Sequence, residues 1–151
     1  MSVLVDTNIV TRLAQPNHPH HISALTALDQ LKARGVGPCI AAQNLYEFWV
    51  VCTRPTNQNG FGFTPSLAQA ELQRIHTLFP ILPETPAVYP EWERLVARYD
   101  VKGKNAHDTH LVATMLVNNV NEILTFNVAD FARYSEISAL TPLNVISGKN
   151  P

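Results

Sequence analysis

Ser2-Val3-Leu4-Val5-Asp6-Thr7-Asn8 decides how the chain is read. A short, apolar, β-branched run without polar alternation fits a strand buried on both faces, the habit of parallel sheets. The Asp6-Thr7-Asn8 turn that ends it leads into an apolar-periodic stretch through Leu13, so a strand passes directly into a helix. In open α/β sheets the ligand site lies beyond the C-terminal ends of the strands, which is where Asp6 falls. An Asp after a strand also serves simply to cap a turn, and for Asp6 alone that is the simpler reading.

Outward from this segment, strand and helix patterns alternate. Ile22, Leu25, Leu28 and Leu31 recur at helical spacing until Arg34-Gly35. Residues 36–41 read as a second strand. Residues 43–54 read as a helix with little polar surface, which should be buried on more than one face. Residues 55–63 form the longest loop, after which Thr64-Pro65 reads as an N-cap and a first-turn proline opening a helix to about residue 79. Ile81-Leu82 reads as a short strand and residues 86–99 as a helix. Asn105 is placed to cap a further helix over 106–118. Residues 122–126 are the last clear strand, 127–133 a short helical turn, and 143–146 a possible final strand. This alternation predicts an α/β domain with a mainly parallel central sheet, one domain over residues 1–151.

Composition narrows the function classes. At 46% hydrophobic and 15% charged, with no apolar run long enough to cross a bilayer, the chain reads as globular and not as a membrane protein. The N-terminus enters a strand with no signal-peptide pattern, which predicts a cytoplasmic protein. Cys39 and Cys52 form no metal-ligand spacing and read as reduced core thiols. A net charge of -1 excludes coating of polyanions by bulk charge, so any nucleic-acid binding has to be local.

Four acids carry the chemistry. Asp6 and Asp130 follow strands. Asp108 shares a helix face with Leu111, Val112, Met115 and Leu116, at i, i+3, i+4, i+7 and i+8, where an uncompensated carboxylate costs several kcal/mol. Glu47 sits in the apolar 43–54 helix, where a solvated rim position is the competing reading. Together the four suggest a convergent pocket whose mutual repulsion a divalent ion would relieve, and hard oxygen ligands suit Mg²⁺ or Mn²⁺ better than zinc.

Asp6-Thr7-Asn8 at the end of an N-terminal strand, Glu47 in an apolar helix, His107-Asp108-x-x-Leu111-Val112-Ala113, and Leu124-Thr125-x-Asn127-x-x-Asp130-Phe131 resemble the four signature segments of PIN domains, particularly VapC-type toxins. The ordered set spans essentially the whole chain. The resemblance implies a three-layer α/β/α domain and a Mg²⁺- or Mn²⁺-dependent endoribonuclease, the toxin of a type II toxin-antitoxin pair. It implies a homodimer, inhibited by a cognate antitoxin protein that reaches into the acidic site. Asp6, Glu47, Asp108 and Asp130 are then the catalytic and metal-holding acids, with Thr7, Asn8 and Thr125 orienting them. Asn127 stands where many relatives carry a further Asp, which leaves the fourth acid to Asp130. The mechanism implied is metal-assisted hydrolysis of an RNA phosphodiester.

Other signals weigh less. His18, His20, His21, His107 and His110 read as solvated helix starts, since no second pair of zinc ligands appears. Arg12, Arg54, Lys102 and Lys104 are candidates for backbone contacts or plain surface charges. Phe48 and Trp49 read as core or dimer interface, and the Asn59-Gly60-Phe61-Gly62-Phe63 loop as a candidate for placing aromatic rings near single-stranded bases. A metal-dependent phosphatase or DNA-directed nuclease, and a non-catalytic binding module that docks a basic peptide, are the competing functions. Asn8 lacks the acid that an aspartyl phosphatase needs two residues after its nucleophile, and no P-loop is present.

Overall fold

In the computed structural model, which describes residues 1–148, β1 (Ser2–Val5) lies inside the sheet, as its composition requires: Val3, Leu4 and Val5 expose no surface. It pairs in parallel with β2 (Gly37–Cys39) on one side and β3 (Glu122–Leu124) on the other, and β4 (Ser138–Leu140) adds to β3. The strand order is β2-β1-β3-β4, all parallel. Around it stand α1 (Thr7–Leu13), α2 (His21–Ala33), α3 (Ala42–Thr53), α4 (Pro65–Leu78), α5 (Val88–Arg98), α6 (Asn105–Val117) and α7 (Pro142–Ser147).

Alternation along β1 separates two cores. Val3 and Val5 face Ile9, Leu28, Phe48, Ile75 and Val145, from α1, α2, α3, α4 and α7. Leu4, together with Ile123, faces Leu95, Leu111 and Met115 of α5 and α6. The result is a three-layer α/β/α sandwich with its apolar strand faces covered on both sides. No helix among the described residues is long and apolar enough to cross a membrane.

Several sequence expectations need correction. The segment expected as a final strand at 143–146 is helical, because Pro142 opens α7 and Thr141 and Asn144 cap one another, the Thr141 hydroxyl accepting from the Asn144 amide at 3.0 Å. The last strand is instead Ser138–Leu140. Ile81 makes only an isolated bridge to Ile40, and the proline on either side of Ile81-Leu82 prevents a longer ladder. Asn105 is the first helical residue, and Lys104 at the cap position offers no side-chain bond. β3 ends at Leu124, which frees Thr125 to turn its hydroxyl toward the site. Helix α3 buries Asn44, Leu45, Phe48 and Cys52 and partly covers Trp49, while Tyr46 at 71% and Val50 at 52% exposure leave one side open. Cys39 and Cys52 are free and buried, and burial pushes both thiols up to about 11.

Candidate active site

Asp6 is the first residue past β1 and the N-cap of α1, so its backbone position is set by strand, turn and helix at once. Its Oδ1 accepts from the Thr7 amide at 2.8 Å, and its Oδ2 accepts from the Thr125 hydroxyl at 2.7 Å. Thr125, the first residue past the neighbouring strand β3, is fully buried. Its oxygen in turn accepts from the Asn8 side-chain amide at 3.1 Å and from the Asn127 backbone amide at 3.0 Å. Asn8 Oδ1 accepts from the Phe126 amide at 3.2 Å. Parallel neighbours β1 and β3 thus end side by side, and one threonine ties their two exit loops together.

Glu47 reaches the same place from α3. Its Oε2 accepts from the Thr7 hydroxyl at 2.6 Å and its Oε1 from the Gln43 amide at 2.8 Å. Two residues not singled out in the sequence support it. Asn44 is buried, accepts from the Ala41 amide at 2.9 Å and donates to the Thr7 hydroxyl at 3.1 Å. Gln43 also donates to the His107 carbonyl at 2.8 Å, and its oxygen bonds His110, which touches Glu84 through its other ring nitrogen. His110 is therefore part of a bridge between α3 and α6, not a solvated helix start; His107 is exposed as expected. The signal for Asn44 and Gln43 was present as two amides opening an otherwise apolar helix, with Glu47 three and four residues on.

The four acids line one open cleft of about 800 Å³, with Thr7, Asn8 and Asn127 also in its wall. Asp6 is pushed up to about 6, first by burial, against the lowering effect of its bonds to Thr125 and Thr7, with the charges of Glu47 and Asp108 adding to the rise. Asp108 is also pushed up to about 6, by burial and then by the charges of Asp130 and Glu47, with His107 and Arg133 opposing. Asp130 stands exposed on the single-turn helix Val128–Phe131. The acids share the cleft without closing on one point: among the described residues no group of three or more His, Cys, Asp or Glu side chains is placed to hold an ion. Glu47 has both oxygens engaged by neighbours. The donor set nevertheless fits a hard divalent cation, because it is all oxygen and because the burial and repulsion felt by Asp6 and Asp108 are what such a charge relieves.

Of the basic candidates, Arg12 and Arg54 line the cleft, while Lys102 and Lys104 are exposed and outside its wall. The 55–63 loop does not present a pair of free rings. Phe61 borders the cleft, but Phe61 and Phe63 are 5.3 Å apart and both pack on the core, held by bonds from their amides to the Val51 and Cys52 carbonyls. Phe48 is core, and Trp49 is partly buried against it.

The same fold is found in solved structures of low sequence identity. VapBC2 from Rickettsia felis, bound to a promoter DNA fragment, matches with a TM-score of 0.72 at 15% identity, over 93% of this chain and 98% of that one. DNA-bound VapBC from Salmonella typhimurium matches with a TM-score of 0.68 at 14% identity, over 94% and 98%. VapC20 from Mycobacterium tuberculosis, a sarcin-ricin loop cleaving toxin, matches with a TM-score of 0.61 at 17% identity, over 89% and 98%. No curated protein sequence matches. The sequence model of one family covers residues 3–137, from the middle of β1 to the threshold of β4 and so across all four acids, and by that match the chain belongs to the PIN domain family.

Proposed function

We propose that this protein is a Mg²⁺- or Mn²⁺-dependent endoribonuclease and the toxin of a toxin-antitoxin pair. The observation that carries the reading is that Asp6, Glu47, Asp108 and Asp130, from four different elements, all line one open cleft, where burial and mutual repulsion raise Asp6 and Asp108. The PIN family membership and the likeness to VapBC toxin-antitoxin complexes support it.

In this reading the four acids hold the metal. The ion, when bound, supplies a Lewis acid for water-mediated hydrolysis of a phosphodiester. The rest is done by the chain itself. Thr125 fixes the rotamer of Asp6, and Asn8 and the Asn127 amide fix Thr125. Thr7, held by Asn44, orients Glu47 from one side, and Gln43 does so from the other. No side-chain nucleophile is required, and any carboxylate not engaged by the ion can accept a proton from water.

A cognate antitoxin and a homodimer belong to the same proposal. The exposed Tyr46 and Val50 on α3 supply apolar surface for a protein contact, and sedimentation at micromolar concentration tests for the dimer. The decisive experiment incubates purified, partner-free protein with a mixed pool of structured RNAs in Mg²⁺, in Mn²⁺ and in chelator, beside Asp6→Asn and Asp108→Asn. Metal-dependent cuts that disappear in both variants are the expected result. Folded protein that binds the metal yet cuts no RNA would overturn the substrate assignment, and protein that binds no metal would overturn the reading as a whole.

A further inference from the structure

The cleft has a second end. It follows the seam between α1 and α3, with Asp6 at the start of α1, Glu47 midway along α3, and Arg12 and Arg54 toward the finish of the two helices. At 1.5 Å per residue, Arg54 lies about 10 Å beyond Glu47 along α3, and Arg12 about 9 Å beyond Asp6 along α1. Two cations therefore flank the cleft more than one helical turn away from the carboxylates.

Neither arginine is used to neutralise a carboxylate. Arg74, Arg94 and Arg98 all pair with glutamates, but among the described residues Arg12 and Arg54 form no ion pair. Each is instead held by a neutral group at one nitrogen: Arg12 Nη1 donates to Gln15 at 2.7 Å, and Arg54 Nη2 donates to the Asn59 carbonyl at 3.1 Å. Their Nε atoms are the two buried side-chain polar atoms that lack a hydrogen-bond partner among the described residues. The loop that grips Arg54 is built tightly, since a Cβ at Gly60 would stand 1.9 Å from the Arg54 carbonyl oxygen. A buried donor without an acceptor is a cost to the fold, and the positive charge that each guanidinium brings to the cleft wall, with no carboxylate paired to it, is one that an anion with several oxygens offsets. The forked guanidinium matches a phosphate in that respect.

We propose that Arg12 and Arg54 form a phosphate-binding subsite that grips the RNA backbone away from the scissile position. This rests on the proposed function in taking RNA as the strand. The placement favours a repeating anion: a phosphodiester strand lying along the seam with one phosphate at the acids presents a neighbouring one to the arginines. An acidic peptide segment offers no group suited to the carboxylate end.

The test measures binding of a labelled single-stranded RNA oligonucleotide in EDTA, where cleavage plays no part, over a series of salt concentrations. Arg12→Gln and Arg54→Gln should each weaken binding several-fold and lower the slope of log K against log salt by about 0.7, the value for one phosphate contact on a single strand. Lys102→Gln, an equal change in charge outside the cleft, should leave the slope unchanged. Arg12→Lys and Arg54→Lys should keep the slope while weakening binding, which holds the test open if a Gln variant does not fold. Slopes that stay at the wild-type value in the Gln variants, or that fall equally in Lys102→Gln, overturn the subsite. Wild-type protein that ignores RNA but binds polyglutamate through these arginines also overturns it, in favour of a protein partner. Cleavage in Mg²⁺ or Mn²⁺ is scored on the same preparations. Arginine-dependent slopes without cleavage keep the subsite and sink the nuclease reading, and cleavage with unmoved slopes does the reverse.

Discussion

Replacing Asp6 by Asn should stabilise the metal-free protein at neutral pH, although it removes a residue at the heart of the site. Asp6 rises from 3.8 to about 6 on folding, chiefly through burial. The folded state thus holds this proton more tightly than the unfolded chain does, so the stability that Asp6 contributes is present at low pH and is lost as pH climbs from about 4 to about 6. At about 1.4 kcal/mol per pH unit, the loss by neutral pH is about 3 kcal/mol. Asn removes the charge but cannot accept from both Thr7 and Thr125, which costs about 1 kcal/mol. The net expectation is a gain of about 2 kcal/mol at pH 7, falling through zero near about pH 4.5. Urea unfolding of both proteins in chelator, at pH values from 4 to 8, reads the difference directly and cancels the titration of groups that do not interact with Asp6. A variant less stable than wild type at pH 7, or a difference that does not change with pH, would refute the reasoning. Adding Mg²⁺ at pH 7 should narrow or reverse the order, because an ion that binds only the folded wild type adds stability that Asp6→Asn cannot recover.

Three further outcomes follow from the same geometry. Thr125→Val keeps the volume but removes the donor to Asp6 and strands the Asn8 and Asn127 donors, so the variant should lose about 1–3 kcal/mol in urea unfolding and bind metal more weakly by calorimetry. Phe48→Ala empties a fully buried position against β1 and α1 and should cost about 3–5 kcal/mol with no change in the m-value. Metal affinity should fall as pH drops below about 6, since Asp6 and Asp108 take up protons there and an ion must displace them, a proton release that calorimetry in buffers of different ionisation enthalpy detects.

The strand-to-helix passage at residues 2–13 was legible from sequence because its cause is local: a short apolar run rich in β-branched residues favours a strand, and the Asp6 side chain caps the helix that follows. The same holds for Thr64-Pro65 opening α4, and for the amphipathic pattern of α2. It fails at 143–146, where a mostly apolar segment looks like a strand until the Thr141–Asn144 cap is recognised, and at Ile81, where the flanking Pro80 and Pro83 hold the pairing with Ile40 to a single bridge. The four acids stood out as a set, since Asp6 alone reads as a turn cap and Glu47 alone as a rim residue, and all four line the cleft. Periodicity does not encode how they are held. Thr125 lies 119 positions from the Asp6 it bonds, and Gln43 lies 64 from the His107 carbonyl. Those contacts exist because β1 and β3 are neighbours in the sheet and because α3 and α6 meet at its C-terminal edge. The division of the cleft into an acidic and a basic end is likewise tertiary: in the sequence Arg12 and Arg54 stand beside Lys102 and Lys104 as equal candidates for backbone contacts or surface charges, and only the packing of α1 on α3 sets the two arginines along one seam, while the pattern of buried and exposed residues that drives that packing was written in the sequence throughout.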